Sequence, residues 1–339
     1  MNPYGIGDVL FTTPLVANLR LCWPQAKIAY LANRRTADFL RSQPGIHQVL
    51  VYERDEFAGH FSKYIELWQN IRQQGFDGVF DFSLNSGLGF LCAASGIRRR
   101  IGFDYRKRGK FLTDRLDLAG YEGRHVIEYY LDLLRLIDVP VQTNRMTLDI
   151  PAQELQWAKD WIKKQAIDPA KPLIAVLPGG GASWGQSAGL KRWGASKYAH
   201  LIDKIVENFD AAVILMGDPK ERELCREVAG ETNFPVYFAV GETSVLGMAA
   251  LLTQCRAAIL NDGGPLHVAV AVGVRTISIF GPVDPAVYGP YPVADHLVVR
   301  KNLPCQPCYR RFRMARCGHI NCLGELSVDD VYRKVQGIL

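Results

Sequence analysis

The chain has 339 residues, of which 48% are hydrophobic and 22% charged, and its formal net charge is +6. This length predicts two domains of roughly 150 residues each, because a single core rarely grows so large. No apolar run approaches the ~20 residues of a membrane span, and the first residues lack the basic and apolar regions of a signal peptide. We therefore expect a cytoplasmic protein with no transmembrane segment.

Short apolar runs alternate with amphipathic stretches, which is typical of an α/β fold with parallel sheets covered on both faces. The predicted strands are Ile28–Ala32, Val49–Tyr52, Gly78–Phe82, Leu173–Leu177, Ala211–Met216, Val236–Val240, Ala257–Leu260 and Thr276–Phe280. The predicted helices are Thr36–Ser42, Phe61–Gln73, Trp157–Gln165, Ala195–Glu207, Glu221–Ala229 and Val245–Thr253. A polar stretch with two prolines, Val139–Gln153, interrupts the alternation. It divides the chain into a domain over residues 1–150 and a second over residues 151–339.

The first loop carries Gly5-Ile-Gly7 followed by Asp8, which looks like the start of a dinucleotide-binding fingerprint. The third glycine position of that fingerprint holds Leu10, so the pattern disfavours a nicotinamide-dependent enzyme. Only two residues precede Pro3. The sequence therefore predicts that the first strand of the N-terminal sheet is truncated, either because this chain has lost it or because the true start lies upstream.

The predicted strand Ala257–Leu260 is followed by Asn-Asp-Gly-Gly-Pro and a helix of small residues. Glycines let the backbone approach a ligand closely, and a helix start offers unpaired N–H groups and a positive dipole end. We expect Asp262, Gly263 and Gly264 to cradle a pyrophosphate, with His267 hydrogen-bonding a phosphate or sugar. The alternative is that Asp262 only caps the helix and His267 is structural.

Two further strand exits are rich in glycine. The exit Leu177–Trp184 contains three consecutive glycines and leads to Lys191. We expect Lys191 to neutralise a leaving diphosphate and Ser183 to hydrogen-bond a phosphate. The Gly- and Pro-rich exit Ser278–Pro290 predicts a rigid loop beside the same ligand. The alternative in each case is an ordinary surface loop.

A basic segment runs from Arg98 to Lys110, with seven cations against one acid, Asp104. Seven minus one is +6, which equals the surplus of the whole chain. Such a patch attracts phosphates, sugar carboxylates or an anionic membrane surface, although a solvated loop has the same composition. Nucleic acid is disfavoured, since no interleaved aromatics and no helix-turn-helix pattern accompany the patch.

Five motifs follow one another along the chain: GIGDVLFTTPL at 5–15, RRRIGF at 98–103, LPGGGASWG…LKRW at 177–193, NDGGPLHVAVAVGV at 261–274 and FGPVDP at 280–285. In order and spacing they resemble glycosyltransferase family 9, the bacterial lipopolysaccharide heptosyltransferases. The resemblance implies a GT-B fold, in which two Rossmann-like domains with parallel sheets face each other across a cleft. The N-terminal domain would bind the acceptor and the C-terminal domain the nucleotide sugar.

The resemblance also implies an inverting transfer of heptose, or a similar sugar, from an ADP-linked donor, with no metal ion or other cofactor required. The acceptor would be a lipid-linked lipopolysaccharide core or related envelope glycan at the inner face of the cytoplasmic membrane. The implied general base is Asp8, and the implied diphosphate site is Lys191 with the Asp262–His267 turn. Glu221 would hold the ribose. By its charge rather than by the resemblance, the basic segment, with Arg106, Lys107 and Arg108, would suit a phosphorylated or acidic acceptor. Many members carry Thr or Ser where this chain has Gly263.

Four cysteines near the end, Cys305, Cys308, Cys317 and Cys322, resemble the tails of many family members. Four thiolates suit a tetrahedral structural zinc. The alternatives are redox-sensitive thiols and ordinary loop cysteines. A capped final helix is predicted to follow from Ser327.

A second function from a different class fits the same motifs. A non-catalytic protein that binds nucleotide sugars or envelope glycans would need the same glycine-rich cradle and the same basic patch. It would not need Asp8 as a base. Replacement of Asp8 therefore separates the two hypotheses.

Overall fold

Parallel strands alternate with helices in both parts of the chain, which confirms the predicted α/β class. The computed structural model describes residues 1–180 and 184–339. It divides into two compact units, Met1–Arg145 and Met146–Leu339.

The first unit contains five strands and seven helices. The strands are β1 (Ala29–Ala32), β2 (Gln48–Val51), β3 (Gly78–Asp81), β4 (Arg99–Tyr105) and β5 (Asp114–Leu118). The helices are α1 (Ile6–Leu10), α2 (Thr13–Cys22), α3 (Arg34–Arg41), α4 (Arg54–Phe57), α5 (Phe61–Gln74), α6 (Ser86–Ala94) and α7 (Val126–Arg135).

The strands of the first unit form two parallel sheets, β1-β2 and β3-β4-β5. The first two residues hydrogen-bond to strands of both sheets. The Asn2 N–H donates to the carbonyl of Leu31 at the end of β1, at 2.9 Å, and the Met1 carbonyl accepts from Phe82, just after β3, at 3.0 Å. At the point where a truncated strand was expected, Asn2 forms a main-chain hydrogen bond on the side of β1 and Met1 forms one on the side of β3.

About half of the basic segment Arg98–Lys110 is β-strand, because β4 extends from Arg99 to Tyr105. Ile101 and Phe103 alternate toward the core and are buried, while Arg99 faces outward and pairs with Asp114 of β5 at 3.2 Å. The strand was not predicted from the sequence because it begins with Arg99 and Arg100 and contains Asp104. Only the connection 106–113 between β4 and β5 is a loop.

The described part of the second unit, residues 146–180 and 184–339, contains eight strands, eight α-helices and two 3-10 helices. The strands are β6 (Leu173–Leu177), β7 (Ala212–Leu215), β8 (Tyr237–Phe238), β9 (Ala257–Asn261), β10 (Thr276–Ile279), β11 (His296–Val299), β12 (Tyr309–Arg310) and β13 (Arg313–Met314). The α-helices are α8 (Ala152–Lys164), α9 (Ala195–Phe209), α10 (Arg222–Glu231), α11 (Val245–Leu252), α12 (Gly264–Ala271), α13 (Pro285–Tyr288), α14 (Asn321–Gly324) and α15 (Val328–Gln336). The 3-10 helices are Gly185–Lys191 and Pro219–Glu221.

Six strands of the second unit form one parallel sheet in the order β11-β10-β9-β6-β7-β8. Every residue of β6 and β9 is buried, because helices cover both faces, and this explains their continuous apolar runs. From β6 the chain proceeds to β8 on one side, and from β9 to β11 on the other. The strand order therefore reverses between β6 and β9, and open α/β sheets bind ligands at the carboxyl ends of such neighbours.

The C-terminal tail folds back on the second unit. Helix α15 packs against α9, β10 and β11. The Trp193 indole N–H and the Lys197 ammonium both donate to the carbonyl of Leu326, each at 2.9 Å. In the part of the chain that the structure describes, no helix has the length and apolar character needed to cross a membrane.

Candidate functional site

The glycine-rich exits of β6 and β9 interlock at the point where the strand order reverses. The Asn261 amide at the end of β9 donates to the carbonyl of Pro178 after β6, at 2.5 Å. A Cβ on Gly263 would lie 1.7 Å from the carbonyl oxygen of Gly180. Gly263 has an extended φ of 166°, which any residue adopts, so its requirement for glycine is steric. The two loops therefore pack backbone against backbone and leave no room for a side chain.

Lys191 and Asp262 form a buried ion pair at this junction. The Lys191 Nζ lies 2.7 Å from the Asp262 Oδ2, and the side chains are 9% and 5% exposed. The ammonium also lies 4.0 Å from the centre of the Trp184 ring, a cation–π contact. A cation is thereby fixed beside the first turn of α12, whose main-chain N–H groups favour an anion.

Glu221, at the exit of β7, also contacts the β6 exit. Its carboxylate is buried and accepts a hydrogen bond from the main chain of Asp218 at 2.9 Å. A Cβ on Gly179 would lie 2.0 Å from this carboxylate, and one on Gly217 would lie 2.9 Å away. Three neighbouring strand exits, those of β9, β6 and β7, thus meet around glycines. Contact of Glu221 with a ribose stays a prediction.

The remaining predicted donor residues fall into two groups. His267 lies in the first turns of α12 and is buried, and Gly264 begins that helix. Gly264 comes two residues after Asp262 through the short β9–α12 turn, and His267 follows within the same helix. Ser183 lies outside the described residues.

The loop after β10 is covered by the C-terminal tail. The main-chain N–H groups of Cys308 and Tyr309 donate to the carbonyl of Pro282, at 2.9 and 3.0 Å. The Tyr309 ring lies 5.1 Å from the Trp184 ring and 5.9 Å from that of Tyr288. The tail therefore packs against Trp184, whose ring contacts Lys191. The sequence did not predict this role of the tail.

The four tail cysteines give no support to a structural zinc, one of the three alternatives for this segment, which stays a hypothesis. All are free thiols, and within the described ranges no three His, Cys, Asp or Glu side chains are grouped so that they could hold a metal ion. The Cys308 thiol instead donates to the carbonyl of Cys305 at 3.2 Å. Main-chain N–H groups of His319 and Ile320 lower the pKa of Cys317.

Asp8 lies in the first turn of α1, in the first unit, and its carboxylate accepts from the Gly5 N–H at 3.1 Å. Asn2 is fully buried and fastens both ends of this loop. Its amide donates to the carbonyl of Asp8 at 2.8 Å, and its carbonyl oxygen accepts from the Tyr4 N–H at 3.3 Å. These two hydrogen bonds of the buried Asn2 fix the conformation of the loop and therefore the position of the Asp8 carboxylate.

The loop of Asp8 is also tied to the exits of β3 and β1. The Tyr4 hydroxyl donates to the carbonyl of Ser83, and the Asn33 amide donates to the carbonyl of Pro3 at 3.2 Å. Burial, with the nearby carboxylate of Asp8, raises the pKa of Tyr4 to about 12, so the hydroxyl stays protonated and keeps donating. Sequence reasoning missed these anchors because each partner is distant along the chain.

Arg106, Lys107 and Arg108 follow β4 and are exposed. Arg106 and Lys107 have positive φ angles of 53° and 61°, and the guanidinium of Arg106 lies 5.0 Å from the centre of the Tyr105 ring. Arg108 Nη1 donates to the carbonyl of Leu84 at 3.4 Å. The structure thus gathers these cations beside the loop after β3, to which Tyr4 is also bound.

Comparison with known proteins gives a consistent assignment. The model of glycosyltransferase family 9 (heptosyltransferase) matches residues 64–318. Lipooligosaccharide heptosyltransferase 2 of Haemophilus influenzae is 25% identical over 88% of this chain and 86% of its own. A family 9 glycosyltransferase of Veillonella parvula superposes with a TM-score of 0.83 at 21% identity, covering 99% of this chain and 94% of its own. The Escherichia coli ADP-heptose lipopolysaccharide heptosyltransferase II superposes with a TM-score of 0.78 at 21% identity, covering 99% and 96%. These likenesses confirm the predicted GT-B fold.

Proposed function

The chain belongs to glycosyltransferase family 9 and is a glycosyltransferase, and we propose that it transfers heptose from ADP-heptose to a lipopolysaccharide or lipooligosaccharide core. The heptosyl group is the one that the family description names, and the H. influenzae relative acts on lipooligosaccharide by name. ADP-heptose is the donor named for the E. coli protein whose fold this chain shares. The acceptor is inferred to be lipid-linked and presented at the inner face of the cytoplasmic membrane.

The observation that carries the proposal is the buried Lys191–Asp262 pair at the interlocked exits of β6 and β9. A nucleoside diphosphate placed on the α12 N-terminus would meet main-chain N–H groups and the Lys191 ammonium. Both stabilise the negative charge that develops on a departing diphosphate. Asp262 holds the ammonium in place before the donor arrives, so little reorganisation is needed during the reaction.

Asp8 is proposed as the general base. In a direct displacement, the acceptor hydroxyl passes its proton to the Asp8 carboxylate while its oxygen forms a bond to the anomeric carbon. The bond from that carbon to the diphosphate oxygen breaks, and ADP leaves with the electron pair. Attack from the side opposite the leaving group inverts the anomeric configuration. General bases typically contribute 10²–10⁴-fold in rate.

The absence of a side chain at Gly263 is compatible with a phosphate site built from main-chain N–H groups. Many family members are expected to have Thr or Ser there, but here the Gly180 carbonyl occupies the space of a Cβ. The hydroxyl is therefore replaced by backbone N–H groups as the proposed phosphate donors. The proposed ribose ligand is Glu221, and the proposed acceptor ligands are Arg106, Lys107 and Arg108.

The experiment that tests the proposal is Asp8→Asn with ADP-heptose as donor. Asparagine keeps the size and can still accept from the Gly5 N–H, so we expect the fold and donor affinity to persist. Transfer should fall by roughly 10²–10⁴-fold. Donor binding is measured by thermal stabilisation, which amounts to about 4 kcal/mol at ~1,000 times the dissociation constant.

The non-catalytic alternative makes a different forecast. If the wild-type chain binds ADP-heptose but transfers it to no heptose-deficient core, a binding function is favoured. If Asp8→Asn transfers at the wild-type rate, Asp8 is not the base. Loss of both transfer and donor stabilisation on the Asp8 substitution would also contradict the separate roles assigned to the two units.

A further inference from the structure

We propose that the first unit binds the surface of an anionic phospholipid bilayer through a basic-aromatic surface, defined as Phe90, Arg106, Lys107, Lys110 and Phe111. The inference rests on the proposed function in one respect, because a lipid-linked acceptor would be met at such a surface. It adds a direct protein–bilayer contact and the residues that make it.

The first support is uncompensated positive charge. Arg106, Lys107 and Lys110 are exposed, and none of them forms an ion pair with any residue that the structure describes. The acid of this segment, Asp104, is engaged instead by Arg115 at 3.6 Å and by the Gly109 N–H at 3.0 Å. The partner that complements this loop is therefore anionic.

The second support is an exposed aromatic ring among these cations. Phe90 on α6 is 56% exposed, and its ring lies 5.3 Å from that of Phe111. The Lys110 ammonium lies 4.9 Å from the centre of the Phe111 ring. Phenylalanine beside lysine and arginine is the composition of surfaces that lie in the membrane interface, with the ring in the acyl boundary and the cations at the head groups. A soluble anion would leave the Phe90 ring without a role.

The third support is continuity with the loop of Asp8. Arg108 donates to the carbonyl of Leu84, and Tyr4 donates to the carbonyl of the preceding residue, Ser83. The basic loop and the loop of the proposed base are thus anchored on consecutive residues of one segment. A bilayer held by the basic-aromatic surface would bring its lipid-linked glycans to the side of the unit that carries Asp8.

The test is co-sedimentation of the full chain with phosphatidylcholine vesicles, with and without phosphatidylglycerol. We expect binding only with phosphatidylglycerol, and weaker binding at high salt. The variant Phe90→Ser/Lys110→Gln should lower the partition coefficient by about tenfold or more, since it removes one apolar contact and one cation worth about fivefold. Phe90→Leu, which stays apolar, should bind nearly as the wild type does.

A matched control removes the same residue types elsewhere. Phe61 is 75% exposed and the Lys204 side chain 42% exposed, so Phe61→Ser/Lys204→Gln loses one ring and one charge outside the surface. Equal loss of binding in this control and in Phe90→Ser/Lys110→Gln overturns the assignment of the surface. Wild-type binding by Phe90→Ser overturns the contact with the bilayer interior. Asp8→Asn should lose transfer and keep vesicle binding, so the two proposals can fail separately.

Discussion

The Lys191 ammonium lies 2.7 Å from the Asp262 carboxylate, although 71 residues of sequence (262 minus 191) separate them. Both side chains are almost excluded from solvent. A buried ion pair contributes little net stability by itself, because desolvation offsets much of the attraction. Because the pair lies at a helix start lined by glycines, we infer that Asp262 holds the Lys191 ammonium in position for a phosphate ligand.

Lys191→Met should destabilise the fold and abolish donor binding. The substitution leaves Asp262 buried without its cation, which typically lowers the free energy of unfolding by about 3–5 kcal/mol. Adding Asp262→Asn removes the uncompensated charge and should recover most of that loss, while donor binding stays absent. Chemical denaturation and calorimetric titration with ADP measure the two effects.

The matched control for this substitution is Lys204→Met. Lys204 pairs with Asp329 at 2.8 Å at the surface, with side chains 42% and 71% exposed. An exposed pair of this kind is worth about 0–1 kcal/mol. Similar destabilisation by Lys191→Met and Lys204→Met would contradict the burial argument, and normal ADP affinity in Lys191→Met would contradict the assigned role.

Gly263→Ala should impair donor binding through sterics alone. A Cβ at this position would lie 1.7 Å from the Gly180 carbonyl oxygen, so the two loops must separate. Overpacking of this kind typically costs about 1–3 kcal/mol. Gly263→Thr, which adds a larger, β-branched side chain, should be worse and should not supply a useful hydroxyl. Thermal melts and ADP titration report the outcome.

Gly230→Ala provides the comparison for the glycine substitution. Gly230 lies inside α10, and a Cβ there would meet nothing within 4 Å. Alanine should therefore stabilise the helix by roughly 0.5–1 kcal/mol. A neutral result for Gly263→Ala in both stability and ADP affinity would show that the β6 and β9 exits tolerate separation.

Thiol reactivity should differ sharply among the cysteines. Main-chain N–H groups of His319 and Ile320 lower the pKa of Cys317, so more of its thiolate is present near neutral pH. Burial raises the pKa of Cys92 and Cys225 to about 12, which keeps them protonated.

Iodoacetamide labelling of the native protein, followed by mass spectrometry, checks this order. Cys317 is expected to be modified well before Cys92 and Cys225, and this order should persist up to pH 9, because the two buried thiols remain almost wholly protonated there. Early labelling of Cys225 in the folded protein would contradict the burial of that thiol. Labelling of all sites at one rate after denaturation serves as the control.

Several parts of the fold were predictable because they depend on local pattern. The strand predicted at Leu173–Leu177 has the same bounds in the structure, and that at Ala257–Leu260 is one residue short. Both strands are buried on two faces, so their sequences are continuous apolar runs. Strand β4 was missed because it opens with two consecutive arginines and because Gly102 and Asp104 interrupt its apolar residues. Helix α8 begins five residues before the predicted start at Trp157, because its first turn carries no apolar stripe.

The sequence by itself determined the family, the α/β class and the glycine-rich exits, since motif order, strand periodicity and turn chemistry are written in neighbouring residues. The tertiary structure decided which of the predicted residues meet. It paired Lys191 with Asp262, placed the Gly180 carbonyl where a side chain at Gly263 would lie, and left the tail cysteines without a metal-competent group among the described residues. Such contacts depend on how distant strands pack, and packing is a property of the whole core that no local stretch encodes.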